Sequence, residues 1–297
     1  MLYVRANLQI KNMEKISRGV TLIELLIALV ISSILIAGLY RIFISQQNAY
    51  TVQEQVVDMQ QSARVSIRRV MSEIRMAGFG NVEMVLPVQF VLYGEARTFN
   101  NVLNPDVPVA GSLTIVAAIQ RGATITESAN SYQNKIKVSS LTDFDKDKKK
   151  YVSIGGLESH IITDIDAGNK MITLDGNLIY NHAQNTPVFP IRAISYQVVQ
   201  EGGDTTLKRD ENIGGGRQPL ADNIENTQFE YFDSSGDSTA NPANIRMVKV
   251  TVKARTDLPD PNFKGGEVAD PLNKNKGMYR IRQISSNISL RNMGLSQ

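Results

Sequence analysis

The sequence Arg18-Gly19-Val20-Thr21-Leu22-Ile23-Glu24-Leu25 decides the fold of this chain. It opens a run of apolar residues that extends to Tyr40, and one carboxylate, Glu24, interrupts that run on its fifth residue. A charged side chain inside a membrane-length apolar segment is energetically costly, so it usually has a function. The segment therefore predicts a membrane helix that carries a functional acidic residue.

The apolar run is long enough to cross a bilayer. Residues 20–40 would form a helix about 31 Å long at 1.5 Å per residue, which matches the roughly 30 Å hydrocarbon core of a membrane. The run exceeds the apolar region of an ordinary secretory signal, and no small-residue cleavage site follows it. We expect one membrane span. Composition alone would also fit a plain signal anchor, in which Gly19 and Glu24 have no special role.

The charge distribution orients this span. The chain has 297 residues and a formal net charge of +3. The whole excess lies in residues 1–19, which contain Arg5, Lys11, Lys15 and Arg18 against Glu14. A basic flank before the helix predicts a cytoplasmic N-terminus and an exported C-terminal part. Because the rest of the chain is formally neutral, no nucleic-acid partner is expected.

The helical pattern continues beyond the apolar run. Apolar residues recur every three or four positions, which is typical of an amphipathic helix with one buried face. Gly78-Phe79-Gly80 supplies a natural stop, so the helix is predicted to run from about residue 20 to 77. A coiled coil is the alternative, but the heptads are few. The predicted stripe contains Val52, Val56, Met59, Ala63, Ile67, Val70, Ile74 and Ala77.

After Gly80 the pattern becomes alternating, which predicts strands. The clearest is Val248–Arg255, and glycine-rich clusters separate the candidates. The chain lacks cysteine, so the exported part cannot rely on disulfides. We expect an α+β fold, in which a mainly antiparallel sheet domain packs against the second half of the long helix. The other candidate strands are Ser112–Ile119, Lys135–Ser139, His160–Ile165, Lys170–Leu174, Ala193–Gln200, Gln228–Phe232 and Tyr279–Arg282.

The N-terminal segment resembles the processing signal of type IV prepilins and type II secretion pseudopilins. The resemblance is carried by the basic-Gly19 boundary, by Thr21 and by Glu24 among paired aliphatic residues. It implies a type IV pilin-like fold, cleavage by a prepilin peptidase between Gly19 and Val20, and methylation of Val20. The usual residue after the cut is phenylalanine, so Val20 is a departure. The resemblance also implies that Glu24 pairs with the Val20 amine of a neighbouring subunit, which would fix the axial register of the fibre.

Three later segments resemble the PilW-type minor pilins and, more loosely, the J-type pseudopilins: Arg75–Gly80, Leu220–Phe232 and Ile288–Asn292. This resemblance implies a minor pilin that helps to initiate or cap a type IV pilus. Its partners would be other minor and major pilins, prepilin peptidase and assembly platform proteins. It would reside in the inner membrane as a single-pass protein with a periplasmic domain, and then in the fibre.

The resulting division of the chain has four parts. Residues 1–19 are expected to be a cleaved leader and residues 20–40 a transmembrane and assembly helix. Residues 41–80 would form the amphipathic continuation, and residues 81–297 an extracytoplasmic β-rich pilin domain. Two alternatives remain open: a J-like pseudopilin in a periplasmic pseudopilus, and a signal-anchored extracytoplasmic binding protein or adhesin.

Catalytic and metal chemistry are not expected. Asp143, Asp145 and Asp147 open like a calcium loop, but Lys148 stands where the EF-hand needs glycine and Ile154 where it needs glutamate. A solvated charged loop is favoured over a calcium site. The two histidines, His160 and His182, are interpreted as isolated. No nucleophile elbow or phosphate-binding loop occurs, so we expect neither an enzyme nor a cofactor.

Overall fold

The structure is a computed structural model. It describes residues 19–92, 95–260, 262–263, 267–268 and 278–292. Most of the expected leader, including Arg18, lies outside the described residues.

The chain divides into two compact units, Met1–Gln53 and Glu54–Gln297. One helix, α1 (Leu22–Arg75), contributes residues to both units, and each unit is described here by itself.

In the first unit, α1 is an apolar helix without a covering layer. All of its residues from 22 to 51 are exposed. Among the described residues, α1 is the one helix that is long and apolar enough to cross a membrane. A helix that is apolar on all sides is suited to lipid or to a bundle of similar helices.

In the second unit, the predicted apolar stripe of α1 is buried. Met59, Ala63, Ile67, Val70 and Ile74 each expose 5% or less of their surface. The helix ends at Arg75, two residues before the expected position. The chain then turns through Gly78 and Gly80, whose φ angles are +76° and +92°. A Cβ atom at Gly80 would lie 2.5 Å from the Ala118 Cβ, so the turn packs too closely for any side chain.

The remainder of the second unit is mostly antiparallel sheet, which together with α1 confirms the α+β fold class. Its described strands are β1 (Val88–Leu92), β2 (Glu95–Phe99), β3 (Leu103–Pro105), β4 (Leu113–Ala118), β5 (Ala123–Thr124), β6 (Lys135–Lys137), β7 (Tyr151–Ile154), β8 (Glu158–Asp166), β9 (Met171–Leu174), β10 (Pro187–Glu201), β11 (Asp204–Asp210), β12 (Gln218–Asp222), β13 (Ile224–Phe232), β14 (Met247–Arg255), β15 (Glu267–Val268), β16 (Met278–Tyr279) and β17 (Ile281–Ser289). A 3₁₀ turn, Val82–Val85, lies between α1 and β1, and another, Pro242–Asn244, lies between β13 and β14.

The long strand β10 organises the larger sheet. The main path has the order β12-β11-β10-β7-β8-β9-β6, and β4 and β5 also pair with β10. The C-terminal half of β10 pairs with β11, its middle pairs with β4, and its N-terminal end pairs with β5 and β7. A second sheet has the order β13-β14-β17, and β1-β2 and β15-β16 form separate hairpins.

Two apolar cores hold the second unit together. The larger joins the buried face of α1 to both sheets, for example through Ile74, Ile115, Ile194 and Val250. The smaller, represented by Ile136, lies among β5 to β10. Burial of this apolar surface is the main source of stability in a domain without disulfides.

A polar contact also ties α1 to the larger sheet. Glu73 of α1 accepts a hydrogen bond from the Tyr196 hydroxyl and is paired with Arg209, whose Nε lies 3.0 Å from Glu73 Oε1. Arg69 adds a contact of 2.7 Å from the same helix. Burial raises the pKa of Tyr196 well above its usual value, with a further contribution from the Glu73 carboxylate, so its hydroxyl stays protonated as a donor.

All eight predicted strand regions contain strand, although their ends differ by several residues. The prediction stopped short of most of β17, and the strands that it missed are β1, β2, β3, β5, β7, β11, β12 and β15. One of the glycine-rich clusters that were expected to separate strands does so: Gly202 and Gly203, both at positive φ, join β10 to β11.

Candidate processing and assembly site

Gly19 and Val20, the expected processing residues, precede α1 without regular structure and are exposed. Gly19 does not adopt a left-handed φ, and a Cβ atom added there would meet nothing within 4 Å. The fold of the described residues therefore does not require glycine at position 19. A requirement at this position would have to come from an external partner that needs close access to the backbone.

Thr21 and Glu24 form a reciprocal cap at the start of α1. The Glu24 backbone N–H donates to Thr21 Oγ1 at 3.3 Å, and the Thr21 backbone N–H donates to Glu24 Oε2 at 3.0 Å. The Thr21 hydroxyl donates to the same Oε2 at 3.0 Å. This is a capping box, in which the side chains satisfy backbone donors that a helix N-terminus leaves free. The sequence signature Thr-x-x-Glu could have revealed it.

The two oxygens of the Glu24 carboxylate have different roles in this cap. Both bonds from Thr21 end on Oε2, and within the described ranges no donor reaches Oε1. Glu24 is also exposed. A carboxylate oxygen with unused lone pairs can accept a further donor, such as an ammonium group, without breaking the cap.

The apolar segment also contains a serine whose hydroxyl bonds within the helix. The Ser33 hydroxyl donates to the Leu29 carbonyl oxygen at 2.7 Å, so this polar group is satisfied inside its own helix. Glu24 is thus the one charged side chain between Val20 and Tyr40.

The Asp143–Asp147 loop, considered above for calcium, is closed by its own backbone. Asp145 Oδ1 accepts backbone N–H groups of Asp147, Lys148 and Lys149 at 2.6–2.8 Å. Burial opposes ionisation of Asp145, but these bonds outweigh it and lower its pKa. In the described part of the chain, no group of three or more potential ligands is placed to hold a metal ion.

The interpretation of His160 and His182 as isolated is wrong, because both contact the fully buried Glu158. Glu158 Oε2 lies 2.9 Å from His160 Nε2, and Oε1 lies 2.6 Å from His182 Nε2. The backbone N–H groups of Ile179 and Tyr180 also donate to this carboxylate, at 2.8 and 3.2 Å. Burial opposes ionisation of Glu158, yet the four hydrogen bonds lower its pKa.

Of the two histidine contacts of Glu158, one could have been predicted from the sequence and the other could not. Glu158 and His160 are two residues apart on β8 and share a face of the strand, which the period of two could have indicated. His182 enters from a distant loop, and no sequence spacing signals that contact. The cluster clamps the loop of residues 176–186 onto β8.

Comparison with known proteins gives one family match. Residues 15–40 match the prokaryotic N-terminal methylation motif. No curated protein sequence matches the chain. The motif covers less than a tenth of the chain, and it contains Gly19, Val20, Thr21 and Glu24. Together with the apolar helix and the antiparallel sheet domain, it supports a type IV pilin-like or pseudopilin-like protein with a single-pass membrane anchor.

Proposed function

We propose that this chain is a PilW-type minor pilin that helps to initiate or cap assembly of a type IV pilus. Prepilin peptidase would cut between Gly19 and Val20 and methylate Val20. The protein would then pass from the inner membrane, with its sheet domain in the periplasm, into the fibre. Its role is structural: it contacts other minor and major pilins and the assembly platform, and it performs no catalysis.

The observation that carries the proposal is the divided use of the Glu24 carboxylate. Oε2 completes the helix cap with Thr21, and no donor among residues 19–92 or the later described ranges occupies Oε1. Cleavage would create such a donor, because it converts the Val20 backbone nitrogen into an amine. In an apolar helix bundle, an unpaired amine and an unpaired carboxylate are both costly. Pairing them between subunits offsets both costs and fixes the axial position of each helix.

The first experiment tests processing. N-terminal sequencing and mass spectrometry of the protein from its own cells should find a chain that starts at Val20 with one added methyl group. A chain that retains residues 1–19 in the mature fraction would refute the proposal. Gly19→Ala should leave the precursor uncut, although the fold itself has space for the added Cβ.

The second experiment tests the role of Glu24. Glu24→Gln retains an oxygen for the cap but removes the charge that would pair with the amine, whereas Glu24→Ala removes both. We expect both variants to insert in the membrane and to be processed, but to be strongly depleted from sheared fibres. Glu54→Gln is the matched control, because it neutralises an exposed carboxylate later in the same helix. Normal incorporation of Glu24→Gln would refute amine pairing.

The third experiment separates the pilus from a secretion system. Deletion of the gene should abolish piliation and twitching if the chain is a minor pilin. If it is a J-like pseudopilin, secreted enzymes should instead accumulate in the periplasm while piliation persists. Retention of both activities would favour a signal-anchored binding protein.

A further inference from the structure

One end of the sheet domain carries an exposed apolar surface that the proposed assembly site does not use. It consists of Met84, Tyr132, Leu157, Ile179 and Tyr180, which we name the loop surface. These side chains expose between 41% and 84% of their area. Large exposed apolar patches on a folded domain commonly mark interaction sites.

Hydrogen bonds hold the backbones that carry these residues next to one another. The Asn81 side chain contacts both Met84 Sδ, at 3.2 Å, and the Leu157 carbonyl oxygen, at 3.0 Å. The Tyr132 N–H donates to the Leu178 carbonyl oxygen at 2.9 Å. The Glu158 carboxylate, adjacent to Leu157, binds the backbone of Ile179 and Tyr180 from beneath. The surface is therefore preorganised, which lowers the entropic cost of binding.

The loops are also free of charge. Residues 128–134 and 176–186 contain no Asp, Glu, Lys or Arg, although the chain as a whole is 21% charged. At that frequency, 18 residues would carry about four charges. Depletion of charge together with exposed tyrosine is typical of the core of a protein interface. At the two loops the surface carries no charge, and the exposed Glu83 beside Met84 adds one carboxylate at its edge. The occupant is thus a surface without strong negative charge, and the exposed aliphatic residues favour protein over carbohydrate.

Tyr132 gives the strongest individual signal. It is the most exposed member of the loop surface, at 84%, and its φ is +71°. A bulky residue in the left-handed region is strained, and such strain is concentrated at functional positions. The Ser131 N–H, which donates to Asn181 Oδ1 at 2.7 Å, helps to hold this conformation.

The size of the loop surface limits the kind of partner. The exposed parts of the five side chains amount to roughly 600 Å², whereas a stable independent complex buries about 800 Å² on each partner. The contact is too small to hold a free protein by itself. It becomes effective when another interface already holds the two molecules together and raises their effective concentration.

We infer that the loop surface docks on the sheet domain of a neighbouring fibre subunit, at a largely uncharged apolar face of that domain. This inference rests on the proposed function, because packing of the N-terminal helices supplies the required tether. A groove of about 430 Å³ beside Leu157, lined by Phe79, Gly156 and the exposed Glu83 among others, offers space for a polar or basic side chain of the partner.

The test uses the full chain in its own cells. A photo-crosslinking phenylalanine analogue replaces Tyr132 or, as a control, Leu258, which is also exposed but lies outside the loop surface. After illumination, mass spectrometry should find Tyr132-site adducts with a protein whose own N-terminus is processed and methylated. The Leu258 site should give few such adducts. The inference would be overturned if the chain is processed and found in the fibre but gives no specific adducts from the Tyr132 site. Adducts that form only with glycan or lipid would also overturn it.

Substitutions provide a second readout. Tyr132→Asn removes the ring while keeping a residue that tolerates positive φ. Combined with Tyr180→Ser, it should lower the fibre-associated fraction about tenfold, as expected when central interface residues are lost. Leu258→Ser should change it less than about twofold. Protease resistance of the detergent-solubilised full chain confirms that each variant is folded, and normal incorporation of the folded double variant would overturn the inference.

The two proposals can fail separately. A chain that is not cut at Gly19 and not found in a fibre overturns both the proposed function and this inference. A chain that starts at methylated Val20 and enters the fibre normally with an altered loop surface overturns the inference alone.

Discussion

Replacing Glu158 should destabilise the sheet domain more than replacing any exposed carboxylate does. Glu158 is fully buried and accepts four hydrogen bonds, from His160, His182, Ile179 and Tyr180. Glu158→Ala leaves all four donors without an acceptor. Loss of one partner of a buried charged contact costs about 3–5 kcal/mol, so we expect a loss near 4 kcal/mol in the free energy of unfolding. Glu158→Gln retains one acceptor oxygen and should cost about 2 kcal/mol.

The assay is urea unfolding of the full chain in detergent, followed by circular dichroism, with hydrogen exchange of the Ile179 and Tyr180 amides measured in parallel. Both amides should exchange much faster in Glu158→Ala. Glu230→Ala is the control, because that carboxylate is exposed and pairs at the surface with Lys249. An unchanged unfolding midpoint, or unchanged protection of both amides, would refute the clamp.

The pH dependence of stability follows from the same carboxylate. Because the folded pKa of Glu158 is lowered, its contribution is fully present above the ordinary glutamate pKa. That contribution is lost as the pH falls through the lower folded value. The native chain should therefore lose more stability on acidification than Glu158→Gln does, and parallel pH profiles for the two proteins would contradict this assignment.

Three further predictions concern the packing of the sheet domain, each measured by thermal unfolding of the full chain in detergent. Ile74→Ala should lower the free energy of unfolding by about 3 kcal/mol because the side chain is fully buried. Val65→Ala, on the exposed face of the helix, should have little effect. Equal shifts in melting temperature for the two variants would contradict the buried stripe. Gly80→Ala should cost more than about 1 kcal/mol because of its positive φ and the 2.5 Å contact, and the open Gly215→Ala site is its control. Tyr196→Phe should cost about 1–2 kcal/mol by leaving the helix carboxylate without its hydroxyl donor, and a neutral result would show that this bond adds nothing.

The long helix and the fold class could be predicted because their signals are local and repetitive. The stripe from Met59 to Ile74 repeats every three or four residues, and strands such as β14 of the three-stranded sheet alternate clearly between apolar and polar residues. The missed strands lack this signal. β11 has the sequence Asp-Thr-Thr-Leu-Lys-Arg-Asp, in which Leu207 is the one apolar residue. Its place in the sheet is fixed by pairing with β10 and β12, and a single segment cannot reveal such pairing.

The candidate sites also differ in whether local sequence reveals them. Gly19, Val20 and Glu24 lie within one short motif, so the sequence identifies them together. The loop surface and the Glu158 cluster combine residues more than 20 positions apart, as with Glu158 and His182. These residues come together only in the folded chain, where loop 176–186 lies against both β8 and loop 128–134. The sequence did contain one usable signal, the absence of charge in both loops.

The cap formed by Thr21 and Glu24 also has a consequence for the order of events in assembly. A helix N-terminus carries partial positive charge from its aligned peptide dipoles, so a new ammonium group at Val20 would be repelled by the helix that bears it. Because the cap is already complete in the uncut chain, cleavage changes the charge at this end without changing the helix start. A subunit cut at Gly19 would thus carry a cation that its own helix disfavours, next to a Glu24 oxygen that no donor among the described residues occupies. Under the proposed function, each subunit would be electrostatically complementary to a copy of its own N-terminus, and cleavage would create that complementarity.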